Sequence, residues 1–205
     1  MKRIEMPATR SNLIRLKDEL AFAREGLDLL DQKKEILVRQ ISSLSARADR
    51  VRQEVNSGLA EAYEQLRDAK VECGESVVES VGLGLKAGEQ LTLRERSLMG
   101  VVLPLVSIDI PSLRPSYGLY ATGKSIDATA AAIRRVMETA GELAEVEVST
   151  ERLMAELKKT LKRINALDRI YVPAYQATVK AIEITLEEKE REALFQLKRI
   201  KGRSG

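Results

Sequence analysis

Apolar residues recur along the first third of this chain at alternating steps of three and four: Leu13, Leu16, Leu20, Ala23, Leu27, Leu30, then Leu37, Ile41, Leu44, Ala48, Val51 and Val55. Only Lys34 interrupts the series. A 3-4 repeat held in one frame over six heptads draws a narrow stripe down a helix, the pattern of a coiled-coil seam. It predicts one helix from about Ser11 to Lys70, with Thr9 or Ser11 as its N-cap. Some ~60 helical residues span ~90 Å at about 1.5 Å each. A second stripe, Phe22, Leu29 and Ile36, repeats every seven residues away from that seam. Apolar residues on two sides of one helix imply two packing surfaces, either a further helix of this chain or a partner that surrounds it.

A second helical pattern runs from about Ser125 to Arg199, with Ser125 as candidate N-cap and Asp127 at the positive end of the helix dipole. Leu153, Leu157, Leu161 and Ile164 make its stripe; Tyr171, Tyr175, Val179, Ile182 and Leu186 continue it, with Leu197 and Ile200 last. The phase drifts along the way. Pro173 lies inside the pattern and must remove one backbone hydrogen bond, kinking or interrupting the helix. Gly202, after a basic run, reads as the helix end.

Residues 71–124 differ, holding seven of the twelve glycines and three of the five prolines. Their β-branched runs, Val77-Val78 with Val81, Val101-Val102-Leu103 and Val106-Ser107-Ile108, predict short strands. The expected fold is all-α: two long antiparallel helices forming a coiled coil, residues 1–70 and 125–205, with a small β-hairpin-like knob of residues 71–124 inserted between them.

Composition narrows the function. Aromatics are 3% and charged residues 32%, the usage of long helices rather than of a globular core. Thirty-four basic against 31 acidic residues leave +3, without the one-sided excess of a nucleic-acid binder. Histidine is absent, which removes the usual general base and metal ligand, and Cys73 has no second cysteine to pair with. Lys2, Arg3 and Glu5 open the chain with no apolar core behind them, and no apolar run approaches the ~20 residues of a membrane span. A soluble, cytoplasmic protein is expected, with no cofactor and no metal.

One motif invites another reading. Gly118-Leu-Tyr-Ala-Thr-Gly123-Lys124-Ser125 matches the phosphate-binding pattern G-x-x-x-x-G-K-[ST]. A phosphate loop follows a buried parallel strand, whereas Pro111-Ser-Leu-Arg-Pro115-Ser precedes this one. Downstream there is helix, not a second strand ending in a magnesium-binding Asp. The carboxylates Glu187, Glu188, Glu190 and Glu192 fall on several helix faces, interleaved with Lys189 and Arg191, and read as solvated surface. Lys34 reads as a register-setting polar seam residue that snorkels to solvent.

Both ends of the chain resemble the D-subunit family of V/A-type ATPases. Near the start stand Pro7-Ala8-Thr9-Arg10, Leu13, Leu16, Leu20, Gly26, Leu29-Leu30 and Lys33-Lys34, where Ala8 and Asp31 depart from the family pattern. Near the end stand Asn165-Ala-Leu-Asp-Arg-Ile-Tyr-Val-Pro173, Thr178, Ile182, Leu186-Glu187-Glu188, Glu190-Arg191-Glu192 and Leu197-Lys-Arg-Ile-Lys201. The resemblance covers the two helices, about half the chain, and implies a non-catalytic central-stalk rotor that transmits torque between a catalytic ring and an ion-translocating membrane ring. Its implied partners are the catalytic and non-catalytic ring subunits (A and B type), the small F subunit of the central stalk and a connecting subunit that leads to the membrane ring. It places the protein in the soluble sector, peripheral to the membrane. Candidate contact residues are Pro7, Thr9, Arg10, Phe22, Leu29, Ile36, Arg191, Lys198, Arg199 and Lys201. The competing reading is a self-associating coiled-coil scaffold or holdase chaperone; a nucleotide-binding protein acting through residues 118–125 is a further one.

Overall fold

The computed structural model describes residues 4–84, 90–110 and 122–201. Their elements are helix α1 (Arg10–Cys73), helix α2 (Glu75–Gly84), strands β1 (Gln90–Leu98) and β2 (Val101–Asp109), helix α3 (Lys124–Ala166), a π-helical turn (Leu167–Tyr171) and helix α4 (Val172–Lys201). The chain divides into two compact units, Met1–Ile36 with Leu157–Gly205, and Leu37–Glu156. The long terminal helices and the small antiparallel hairpin expected from the sequence are present. The segments bearing Gly118 and Gly202 lie outside the described residues.

In the first unit α1 and α4 pack antiparallel, as ion pairs from Arg10 to Glu190 (2.6 Å) and Lys17 to Glu183 (2.7 Å) record. A step of seven along α1 is a step of seven back along α4. Between them Leu16 packs against Val179 and Ile182, flanked by Leu13, Tyr175 and Leu186. Thr9, not Ser11, caps α1: its Oγ1 accepts the Asn12 N–H at 3.3 Å, the third-residue donor that a helix start leaves unpaired. The segment before it doubles back along α4, where the Ile4 N–H donates to Thr178 Oγ1 (3.0 Å) and Met6 and Ala8 cover the core.

The phase drift in the second helix has a local cause. Pro173 lacks an N–H, and in an α-helix its ring would meet the carbonyl of Arg169. The backbone widens just ahead of it into a π turn, where the Val172 N–H bonds to the Leu167 carbonyl. Such a turn takes in one extra residue. Thr160 and Leu167 are seven apart, as are Tyr175 and Ile182, but Leu167 and Tyr175 are eight apart. The inward frame therefore resumes one position late. Leu161 and Tyr171, expected in the stripe, are exposed instead. Leu197 is exposed too: the described residues before α1 turn back toward Thr178, away from this end of α4.

In the second unit the seam residues Leu37, Ala48, Val51, Val55, Ala62 and Ala69 are buried along α1, as are Ala132, Val136 and Val146 along α3. Arg47–Glu142 (2.6 Å), Arg52–Glu147 (2.8 Å) and Arg135–Glu61 (3.3 Å) join the two helices. At Gly74 the backbone turns left-handed (φ 88°), its N–H closing on the Lys70 carbonyl, so α1 stops and α2 starts in a new direction. Val77, Val78 and Val81, expected as a strand, lie in α2 and pack on Ala69 and Ile126. Their spacing of one, three and four is one face of a helix; the apolar surface of α1 and α3 decides over β propensity.

The hairpin pairs Gln90–Leu98 with Val101–Asp109 through a two-residue turn, Met99-Gly100, in which both residues have positive φ (53° and 80°). That is the turn whose twist matches the strands it joins. The hairpin meets α3 through the outer edge of β2. Arg152 donates to the Val102 carbonyl (2.8 Å), the Val106 N–H donates to Glu145 (3.0 Å), and Arg134 donates to the Ile110 carbonyl. Alternate residues of a strand send their backbone groups the same way, so Val102, Val106 and Ile110 all offer the edge that β1 does not use. Pro104 belongs to the same set, and its missing N–H costs no ladder bond with β1. The spacing matches as well: about 27 Å separates Arg134 from Arg152 along the helix, and about 27 Å separates Val102 from Ile110 along the strand. Gly141 lets Ile108 and Val106 approach the helix backbone; a Cβ there would overlap Ile108.

Substitutions at two positions test this packing. Thr160 is 1% exposed and its hydroxyl has no hydrogen-bond partner among the described residues; Thr160→Val should raise stability by about 1 kcal/mol in urea unfolding. Glu145→Leu should leave the Val106 N–H unpaired and cost about 1–3 kcal/mol, with faster amide exchange along β2; Glu145→Gln, which keeps an acceptor, should cost clearly less.

Candidate functional site

The phosphate-loop resemblance is tested at its described end. Lys124 opens α3, and Ser125 lies inside the helix rather than capping it, with Thr129 donating to its carbonyl (2.8 Å). The Gly123 N–H, which a phosphate loop would aim at an anion, donates to Cys73 Sγ (3.3 Å). The Glu72 carboxylate fills the space that a Cβ on Gly123 would need. An acidic group at that spot repels phosphate, so nothing here favours a bound nucleotide. Among the described residues no three His, Cys, Asp or Glu side chains gather to hold a metal.

Lys34 shows what a polar seam residue can do. It sits half-buried with its ammonium 2.6 Å from Asp31, one turn earlier on the same helix. That hydrogen bond, reinforced by the charges of Asp31 and Glu35, raises the lysine pKa. A lysine poised for proton transfer would be shifted down. Asp31 is the partner that ties this ammonium down at the seam.

The acidic run on α4 is exposed, as a solvated surface would be; Glu190 in it pairs with Arg10 and Glu187 with Arg191 (3.5 Å), while Glu183, one turn earlier, pairs with Lys17. Arg10 and Arg191 are thus engaged within the chain, while Thr9 serves as a cap. Pro7, Lys198, Arg199 and Lys201 are exposed.

The second stripe on α1 stays uncovered in the first unit. Phe22 is 78% exposed and Leu29 59%, while Ile36 is half-buried. No further helix of the described chain covers Phe22 or Leu29. Sequence reading missed its counterpart on α4. Ala174, Ala177, Ala181 and Ile184 recur at steps of three and four on the side opposite Val179 and Ile182, and Ile170 stands in the π turn before them. Ile170 and Ile184 are 62% and 51% exposed. The signal was legible as a second 4-3 series, but the drifting phase merged it with the first. Leu194, Phe195 and Leu197 extend the exposed apolar surface beyond Glu190.

Ionic groups used to join its own two helices, with apolar residues left on their outer faces, mark a helical-hairpin subunit of a larger assembly. Comparison with known proteins agrees. The chain matches the family of the ATP synthase D subunit over residues 12–202. It is 35% identical over 202 residues to the A-type ATP synthase D subunit of Thermococcus sibiricus, covering 97% of this chain and 94% of that one. It is 36% identical over 202 residues to that of Pyrococcus furiosus, with the same coverage. Against the V-type ATP synthase D subunit of Thermotoga neapolitana it is 36% identical over 193 residues, covering 94% of this chain and 95% of the other. This chain belongs to the ATP synthase D-subunit family. No helix among its described residues is long and apolar enough to cross a membrane.

The junction of α1 and α2 carries a pH-sensitive pair. Glu75, in the first turn of α2, is hydrogen-bonded to Lys70 at 2.7 Å, which holds its pKa below the ordinary carboxylate value and raises that of the lysine. A depressed carboxylate pKa gives stabilisation that is present at neutral pH and lost as pH falls through the folded-state value. Lys70→Met should move the Glu75 titration, followed by carboxyl-carbon NMR, back up toward the ordinary range. The variant should also lose less stability than the parent on acidification.

Proposed function

We propose that this chain is the central-stalk rotor of a V/A-type rotary ATPase, carrying torque between the nucleotide-handling ring and the ion-translocating membrane ring, with no catalytic centre of its own. The observation that carries the reading is the antiparallel pairing of α1 and α4, closed by the Arg10–Glu190 and Lys17–Glu183 bridges, in a chain of the D-subunit family. Torque transmission needs two helices that resist twisting against each other, and a continuous seam with ionic ties supplies that. It also needs side faces on which neighbours push. Phe22 and Leu29 on α1 offer such a face, Ile36 continues it at the next heptad, and Ile184 on α4 offers another, with Ile170 exposed in the π turn before it.

In this reading the ring subunits of A and B type surround the end bearing Pro7, Thr9, Arg10, Arg191, Lys198, Arg199 and Lys201. The hairpin lies toward the membrane side, near the small F subunit and the connecting subunit. The protein works in the soluble sector, peripheral to the membrane. No observation favours the scaffold or holdase reading, which requires the seam to join separate copies; here it joins the chain to itself.

Gentle purification of the tagged chain from its host tests the proposal. Ring subunits and one small companion should return in fixed ratio, whereas a homo-oligomer free of ring subunits would sink it. Removal of the residues from Arg191 onward should abolish coupled ion transport while the rest of the chain still folds.

A further inference from the structure

We infer that the helix pair of the first unit contains a compliant joint, where Gly26 of α1 faces the 167–173 stretch. The level follows from the pairing already described. Arg10 meets Glu190 and Lys17 meets Glu183; continued along the same antiparallel register, Gly26 stands opposite Ala174, next to Pro173.

Each helix is weakened there for its own reason. Glycine inside a helix carries the largest backbone entropy cost of any residue. Packing does not call for it, since a Cβ built on Gly26 meets nothing within 4 Å. Across the pair, the π turn replaces α-helical bonds with a wider one from the Val172 N–H to the Leu167 carbonyl, and Pro173 donates none. None of the five residues of that turn is buried, while Thr160 and Val172 on either side are. A stretch with few buried contacts and solvent-exposed backbone bonds opens at low free energy. Two unrelated weaknesses at one height make the level yield first when the pair is bent or twisted. The seam and ion pairs toward Arg10 keep the neighbouring stretch stiff. This joint is a property of the isolated chain and does not depend on its being a rotor.

Hydrogen exchange of the full-length chain, read by mass spectrometry, tests it. Peptides covering residues 24–28 and 168–173 should exchange at least about fivefold faster than those covering 16–20 and 176–182. Gly26→Ala, which meets no steric obstacle, should slow exchange about fivefold around residue 26. It should slow residues 168–173 in parallel. A second variant, deletion of Ile170 combined with Pro173→Ala, restores a seven-residue spacing across the turn and should protect both stretches together. Equal exchange at the joint and its flanks would overturn the inference. So would protection by Gly26→Ala confined to α1, or spread evenly over both helices.

Discussion

A helix that carries an apolar seam over sixty residues cannot remain alone in water, and that constraint organises the molecule. Burying one Leu side chain contributes roughly 1.5–3 kcal/mol, so a run such as Leu13 to Val55 needs a partner along its length. This chain supplies the partner from its own far end, and an antiparallel return needs material to turn with. Gly74 stops α1, α2 folds back against Ala69, and the hairpin and α3 follow. The charges then sort themselves. Arg10, Lys17, Arg47 and Arg52 find carboxylates on the returning helices, which helps to hold this register against its neighbours.

The seam also accounts for what is left over. A helix that commits one face to its partner has its other faces free, and in a chain bound for solvent they would be polar. Phe22, Leu29, Ile170 and Ile184 break that rule. Single exposed apolar residues are ordinary, but a heptad-spaced series on α1 and a 4-3 series on α4 repeat with the helix period. In the proposed rotor those faces meet the neighbours, and the chain by itself leaves them bare.

Much of this was legible beforehand, and the gaps have physical causes. The α1 seam was readable because its 3-4 frame is unbroken, and each predicted position is buried or half-buried. The strand expected at Val77–Val81 failed because β-branched residues report a preference that a waiting apolar surface overrides. The phase drift near Leu161 was visible, but a one-residue insertion cannot be told from an imperfect stripe until the backbone shows the π turn. The clamp on β2 left no trace at all. Arg134, Glu145 and Arg152 look like any solvated charges on a helix; only their distance to three backbone groups of a strand gives them a role. Asp31 is similar: an ordinary helix carboxylate in the sequence, it gains a role only once Lys34 is seen 2.6 Å away.

That clamp makes the hairpin's position discontinuous. Slid by one residue along α3, β2 would present the odd-numbered backbone groups already committed to β1, and all three side chains would lose their bonds to the strand at once. The next position that offers free groups lies two residues away, about 7 Å along the strand. There Pro104 would stand where Val102 or Val106 now stands, and in the second case it would face Glu145 with no N–H to give. The hairpin is therefore indexed on α3 in steps of two residues, and a slide of one residue releases all three contacts together.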